Sequence, residues 1–336
     1  MDINGTRLTR LLVCLCGLLL AVFSAPALAT LTDSLTIGSA KAVGLGHAVT
    51  ADPPGIDSIH FNPAGLIKLK GRQTHFKTVA GTFSIDMNFG DYDPQTAAAI
   101  DKHRSESYFK ENDAHQSTGT TEGASLMLPF FGMTDVPVLF APLGGVSYGA
   151  PDGKMTIATN VYSPMMVGLY RAEDDPSRWI GQRMSFMVIT YFSPSFAYRV
   201  NDEFTVGAAM TVNYGGVGFE LPFRAGNPSV YELGKLQEGP MLNCTGADPT
   251  KPKVDLLCGG NFSPYEELGY MALEVEDPVS VGFNLGVLWN PIPWLTFGAT
   301  YIAPIPMTLK GDFSWTSSQA WSSVLVPLVN SPLGAR

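Results

Sequence analysis

Hydrophobic and polar residues alternate with a period of two along several stretches of this chain. In residues 204–214 one face carries Phe204, Val206, Ala208, Met210, Val212 and Tyr214, and the other carries Thr205, Gly207, Ala209, Thr211 and Asn213. Residues 280–290 and 295–301 repeat the alternation. Because successive side chains of a strand point to opposite faces, each stretch predicts a β-strand with one apolar face.

The composition of the second face separates two kinds of β-protein. A secreted soluble sheet with one solvated face would also alternate. In this chain the second face carries Gly, Ala, Thr and Asn, whereas an open surface would carry Lys and Glu. Small residues suit a narrow lumen, so the pattern favours an all-β fold that is an antiparallel transmembrane β-barrel.

The alternating stretches and the turn residues between them predict seven strands. We expect these strands at about residues 74–89, 140–150, 154–167, 184–200, 203–222, 279–290 and 294–312. Short turns connect some of them, and long external loops at 90–139, 168–183 and 223–278 connect the others. Residues 124–133 are apolar too, but we assign them to the first loop, since a further strand would break the alternation of short and long connections.

The N-terminus has the features of a secretory signal peptide. Arg7 and Arg10 precede an apolar run that ends in a small-x-small cleavage site, Ala27-Leu28-Ala29. We therefore expect residues 1–29 to be removed by cleavage near Ala29. Charged residues make up 15% of the chain and its formal net charge is −9, which argues against nucleic acid as a partner.

Catalytic and metal-binding patterns are absent from the sequence. Cys244 and Cys258 remain after cleavage and lie in one predicted loop, where an oxidising compartment favours a disulfide over a metal site. The five histidines show no metal-ligand spacing, and neither a dinucleotide-binding motif nor a nucleophile elbow is present. We expect no metal, no cofactor and no enzymatic activity, although a Ser–His pair formed in space would not be visible in the sequence.

Residues 41–66 carry a resemblance to a known family. Gly44 and Gly46 lead through an acidic, proline-containing turn to Asn62-Pro63-Ala64. This run resembles the N-terminal hatch, or plug, of the FadL-type outer-membrane transporters. By spacing alone Asn62-Pro63-Ala64 is an ordinary tight turn; the resemblance implies a gating segment. It also implies a helical hatch at 30–72 and a barrel wall at 73–336.

The resemblance implies a function and a location. Family barrels have roughly fourteen strands, and the chain offers about seven, so we expect a C-terminally truncated chain with the hatch and half of the wall. The implied activity is passive uptake of long-chain fatty acids or other hydrophobic compounds, such as aromatic hydrocarbons, across the outer membrane of a Gram-negative bacterium. Outer-membrane lipid and lipopolysaccharide would surround the wall. The alternatives are an outer-membrane lipid hydrolase and a structural or adhesive barrel.

Three residues of the third predicted strand are candidates for a lateral opening. Pro164 removes a ladder hydrogen bond within the strand, and Ser163 precedes it. The resemblance implies a kink that opens the wall here, with Asn160 at the best-matching position. The alternative is that Pro164 marks the end of the strand near the rim of the barrel.

Four further residues are candidates for ligand binding. Met187, Ile189 and Tyr191 share the face of their strand that is expected to point inward, where an apolar patch would hold an acyl chain. The alternative is that they contact the hatch. Arg224 follows the fifth predicted strand, where a guanidinium would pair with a carboxylate; the alternative is a solvated arginine at the rim.

Overall fold

The computed structural model describes residues 38–82, 84–88, 90, 93–103, 118–224, 250, 267–319 and 321–322. The predicted signal peptide and the predicted Cys244–Cys258 disulfide lie outside these residues. All described residues belong to one compact unit, Ser34–Arg336. Among the helices of the described part, none is both long enough and apolar enough to cross a bilayer.

The described residues are mostly antiparallel β-sheet. The strands are β1 (Gly71–Gly81), β2 (Met87–Asn88), β3 (Thr118–Gly119), β4 (Ala124–Leu128), β5 (Gly132–Val136), β6 (Leu139–Gly149), β7 (Met155–Tyr170), β8 (Arg183–Phe192), β9 (Ser195–Arg199), β10 (Phe204–Arg224), β11 (Glu267–Ile292), β12 (Leu295–Ile302) and β13 (Lys310–Ser317). Nine of them form one large sheet in the order β1-β6-β7-β8-β10-β11-β12, in which β9 pairs with β7 and β10, and β13 pairs with β11.

The two faces of the large sheet are chemically different. Gly207 and Gly286 point toward the N-terminal helical segment, because a Cβ on either would meet residues 62–64. We call this side the covered face. The alternate positions are exposed and apolar, among them Val146, Ile157, Phe196, Met210, Val281, Phe283, Leu285 and Phe297. An apolar exposed face of this extent is what lipid contact requires.

A short helical segment precedes the sheet and packs on its covered face. It contains the α-helices α1 (Ala40–Gly44) and α2 (Ser58–Phe61) and the 3-10 helices Gly55–Asp57 and Pro63–Lys68. The Ser39 hydroxyl caps α1 by accepting a hydrogen bond from the Ala42 amide. Eight buried apolar side chains of the segment form one cluster with four wall residues: Ala158, Tyr162, Ala197 and Ala209. We call residues 38–70 the N-terminal segment.

Residues 124–133 do not form a loop, contrary to our expectation. They contribute to β4 and β5, which pair only with each other among the described strands and form a hairpin. Ala124 and Leu126 of this inner hairpin are buried with Met187 and Tyr214 of the wall. The hairpin thus packs on the covered face and leaves the predicted strand order of the wall unchanged. Its apolar residues are explained by this tertiary contact.

Several strand boundaries differ from the predicted ones. The first strand ends at Gly81 rather than residue 89, since Ile85 N–H is bound by the Thr121 hydroxyl instead of a ladder partner. The first predicted loop, 90–139, also contains helix α3 (Pro94–His103). Strand β11 begins at Glu267, inside the predicted loop 223–278, and its acidic residues Glu274 and Glu276 are hydrogen-bonded on the covered face.

Two predicted strands are each divided in two. The predicted strand 184–200 is interrupted between β8 and β9, where Pro194 lies, and the predicted strand 294–312 is interrupted between β12 and β13, where Pro304 and Pro306 lie. Proline has no N–H to donate to a ladder, so each break is a local consequence of the sequence.

Tyr214 lies on the covered face, which corrects its assignment to the apolar face of β10. The β10–β11 register shifts between Asn213 and Gly215, where the single residue Tyr214 faces two residues of β11, Pro278 and Val279, so a β-bulge interrupts the ladder. A bulge reverses the alternation beyond it. Tyr214 is consequently buried against the inner hairpin rather than exposed with Met210.

Candidate functional site

The turn Asn62-Pro63-Ala64 holds the N-terminal segment to the wall. Asn62 is fully buried, and its Nδ2 donates hydrogen bonds to the carbonyl oxygens of Thr50 (2.8 Å) and Val287 (3.1 Å). Its Oδ1 accepts from the Ala64 amide at 3.1 Å and so caps the 3-10 helix that follows. The side chain therefore joins two parts of the segment and strand β11.

The two predicted glycines lie at the other end of the segment. Gly44 is the last residue of α1, and Gly46 has a φ of 56°, a conformation that favours glycine. The start and end of the segment are tied together by Asp52, which accepts hydrogen bonds from Lys41 and Lys68. These two lysines lower the pKa of Asp52 below its usual value.

The wall is interrupted next to the N-terminal segment. Strand β7 pairs with β9 up to Ala158 and with β8 from Tyr162, and no ladder pair joins residues 159–161 to either strand. The Ser193 hydroxyl bridges the interval, since it accepts from the Asn160 amide (2.9 Å) and donates to the Asn160 carbonyl (2.6 Å). We call this interval the wall break.

Ser163 and Pro164 lie just beyond the wall break in the same strand. The β7–β8 register shifts between Tyr162 and Met165, so both residues belong to a bulge within β7 rather than to its end. The Ser163 hydroxyl donates to the Val188 carbonyl at 2.7 Å. The structure therefore brings the three lateral-opening candidates to one irregular stretch of β7.

A groove of 690 Å³ lies against the wall break on the exposed face. Thr159 and Pro194, which flank the interruption, line it. The remaining lining is largely apolar and aromatic and includes Val146, Tyr148, Ile157, Phe192 and Phe196. We call it the outer groove; a hydrophobic molecule at the wall break would meet apolar surface on the lipid side.

A second cavity, of 350 Å³, lies between the wall and the tip of the inner hairpin. Its lining is Pro129, Phe130, Ile189, Tyr191, Tyr214, Glu276, Pro278 and Val279. We call it the Tyr214 cavity. It lies where β10 and β11 both depart from regular pairing, so it is a product of the bulge.

The electrostatics of the Tyr214 cavity come from one carboxylate. Glu276 is the only charged residue among the described residues that line it, and the Tyr214 hydroxyl donates to Glu276 Oε2 at 2.9 Å. The Tyr191 hydroxyl donates to the Pro278 carbonyl at 3.4 Å. Within the described part of the chain, no cation lies in the lining to attract an anionic ligand.

The four predicted ligand-binding residues do not form one site. Ile189 and Tyr191 both line the Tyr214 cavity, whereas Met187 is buried beneath the inner hairpin with 1% exposure. Arg224 lies elsewhere, with its guanidinium 4.8 Å from the centre of the Trp179 ring. It is thus neither in the cavity nor a simple solvated rim residue.

Several cavity residues had no signal in the sequence. Tyr214 was placed on the wrong face by the undetected bulge, and Phe130 lies at the tip of a hairpin that we expected to be loop. Glu276 and Pro278 were assigned to a loop as well. Two bulky aromatic residues at a turn, Phe130 and Phe131, were the one local clue. Among the described residues, no group of His, Cys, Asp and Glu could hold a metal ion.

Comparison with known proteins places the chain in a family. A model described as outer membrane protein transport protein (OMPP1/FadL/TodX) matches residues 18–334. The chain belongs to this family. The predicted resemblance to FadL-type transporters is thereby confirmed, and members of the FadL/TodX family are outer-membrane proteins. A search of curated proteins found no match.

Three solved structures are similar to parts of this chain. A Pseudomonas aeruginosa FadL homologue is 18% identical with a TM-score of 0.53, over 90% of this chain and 59% of its own. The Ralstonia pickettii toluene transporter TbuX (16% identity, TM-score 0.45) aligns over 78% of this chain and 56% of its own. The monoaromatic hydrocarbon channel CymD (14% identity, TM-score 0.46) aligns over 86% of this chain and 58% of its own. Of these three, the first supports a shared FadL/TodX fold.

Proposed function

We propose that this chain provides a path for passive uptake of hydrophobic compounds across the outer membrane, and that the preferred compounds are uncharged. Membership of an outer-membrane transport family supports the first part. The observation that carries the second part is the Tyr214 cavity, an apolar pocket in which the single charged residue among the described lining residues is an acid. The N-terminal segment acts in this proposal as the hatch.

The charge of the cavity argues for uncharged solutes over fatty-acid anions. A carboxylate brought into an apolar cavity loses its hydration, and it would meet Glu276 rather than a compensating cation. Arg224, the predicted partner of a fatty-acid carboxylate, lies over Trp179 and outside the cavity lining. An alkane, a long-chain alcohol or an aromatic hydrocarbon avoids both costs.

The proposed route ends at the wall break. A solute held by the aromatic lining of the cavity passes along the covered face, the hatch moves, and the solute leaves past Asn160 and Ser193 into the outer groove. The solute exchanges one apolar environment for another, so the step requires no energy source. Passage of a solute requires that the bonds bridging the wall break be separable without unfolding the strand.

Filling the Tyr214 cavity should block uptake. We expect Ile189→Trp to reduce the uptake of a long-chain alcohol at least about tenfold, because the indole occupies the volume that the solute needs. The measurement is uptake into lipid vesicles that contain the refolded full chain. The control is Val281→Trp, which adds the same ring on the exposed face. Equal uptake by the two variants would refute the cavity as the solute site.

Neutralising Glu276 should change selectivity rather than overall uptake. We expect Glu276→Gln to raise fatty-acid uptake about fivefold relative to the alcohol of the same length, because the repulsion between carboxylates is lost while an oxygen remains to accept from Tyr214. Competition between the two solutes in the same vesicles measures the ratio. An unchanged ratio would contradict the preference for uncharged compounds.

A further inference from the structure

One buried carboxylate of the N-terminal segment reaches two strands of the wall at once. Asp57, at the end of the 3-10 helix Gly55–Asp57, is 8% exposed. Its Oδ1 accepts from Lys77 Nζ of β1 at 2.6 Å and from Asn160 Nδ2 of β7 at 3.2 Å. Both partners are themselves mostly or wholly buried. A charged hydrogen bond in such surroundings is stronger than one between neutral groups.

The same contacts lead directly to the wall break. Asn160 is the residue whose backbone is bridged by the Ser193 hydroxyl. The Oδ1 atom of the Asn160 side chain is buried without a hydrogen-bond partner among the described residues, whereas its Nδ2 donates to Asp57. An unsatisfied buried acceptor costs free energy, so the contact with Asp57 is made in spite of this cost. The path Lys77–Asp57–Asn160–Ser193 thus connects β1, the segment and both sides of the interruption.

Two hydrogen bonds between neutral groups hold the segment to β11. Asn62 Nδ2 donates to the Val287 carbonyl, and Asn284 Nδ2 donates to the Ile59 carbonyl at 3.0 Å. Both contacts join the segment to β11, a strand that is not part of the wall break. The segment therefore has a neutral attachment on one side and a charged one beside the interruption.

We propose that Asp57, Lys77 and Asn160 form a latch that keeps the N-terminal segment closed over the wall break, with the attachment at β11 as the fixed side. This inference rests on the proposed uptake function. The three are positioning residues: they hold the segment and do not contact the solute in the Tyr214 cavity. A latch of this kind lowers the population of the open segment when no solute is bound.

Removing the cation of the latch should accelerate uptake. We expect Lys77→Met, in the refolded full chain in lipid vesicles, to take up a long-chain alcohol about fivefold to tenfold faster per folded molecule, because loss of a charged hydrogen bond raises the open population. Hydrogen exchange of residues 55–61 without solute should also be faster. Lys77→Arg, which keeps the charge, should stay close to the unmodified chain in both measurements.

The matched control is Lys68→Met, which removes a cation from the exposed pair with Asp52 and leaves the latch intact. If Lys77 has only a structural role, Lys77→Met should give less folded protein than the unmodified chain, and its uptake per folded molecule should be unchanged or slower. If Lys77→Met and Lys68→Met take up the alcohol at the same rate and exchange alike, the latch is refuted. If the unmodified chain takes up no more alcohol than empty vesicles, the uptake function fails, and hydrogen exchange still decides whether the contact holds the segment.

Discussion

Replacing Gly207 with valine will prevent the N-terminal segment from seating on the sheet, and we expect this variant to lose about 3 kcal/mol of unfolding free energy or more. A Cβ at position 207 would lie 2.3 Å from the Ala64 nitrogen and 2.3 Å from the Pro63 carbonyl carbon. These are backbone atoms, so no rotation of a side chain relieves the clash. The segment must shift as a whole and lose its contacts with β11.

The measurement is urea unfolding of the refolded chain in lipid vesicles. Gly81→Val is the control, because it makes the same substitution in a strand where a Cβ at position 81 meets nothing within 4 Å. Valine is otherwise favourable in a strand, so the control should unfold at the urea concentration of the unmodified chain or above it. If the two variants unfold together, the segment does not pack against Gly207.

The alternation of side chains predicted the wall well where the covered face is formed by small residues. Strand β10 begins at Phe204, within one residue of its predicted start, and the short turns before it and after β11 were predicted from their Pro, Asn and Asp. In this part the covered face packs closely on residues 62–64, as at Gly207 and Gly286, so small residues are required there. The close packing requires small residues at alternate positions of the strands, and those small residues are what the sequence shows.

The alternation failed where the covered face packs on side chains of the inner hairpin. Beyond Tyr214 the wall carries Glu274, whose carboxylate accepts from the Met133 amide at 3.2 Å, and Glu220, which pairs with Arg183 at 2.7 Å. Glu274 fell in the predicted loop 223–278, whereas Glu220 fell in the predicted strand 203–222. Their partners come from distant parts of the chain, so no local pattern could reveal them.

The same distinction applies to the candidate site. The lateral-opening candidates follow from a local property, since Pro164 cannot donate to a ladder, and the structure places them at an irregular stretch of β7. The cavity residues follow from a bulge and a hairpin contact, so two of the four predicted ligand-binding residues, Ile189 and Tyr191, line it and two do not. The odd or even position of a residue along a strand predicts which face of the sheet it occupies. It does not predict which other parts of the chain pack on that face.

Replacing Asn62 with alanine should cost about 3 kcal/mol of unfolding free energy, because three hydrogen bonds are lost in a fully buried site. The backbone carbonyls of Thr50 and Val287 each lose a donor that comes from a fully buried side chain. Urea unfolding in vesicles measures the loss. The control is Asn88→Ala, at an exposed asparagine of β2, which should unfold like the unmodified protein.

Asn62→Asp separates the two interpretations of the Asn62-Pro63-Ala64 turn. Aspartate keeps an oxygen that accepts from the Ala64 amide, so a residue needed only for the local turn would tolerate the change. The bonds to Thr50 and Val287 need a donor, and an ionised carboxylate there would be buried without compensation. We expect Asn62→Asp to be less stable than Asn62→Ala, which would show that Asn62 joins the segment to the wall. The reverse order of stability would identify an ordinary turn.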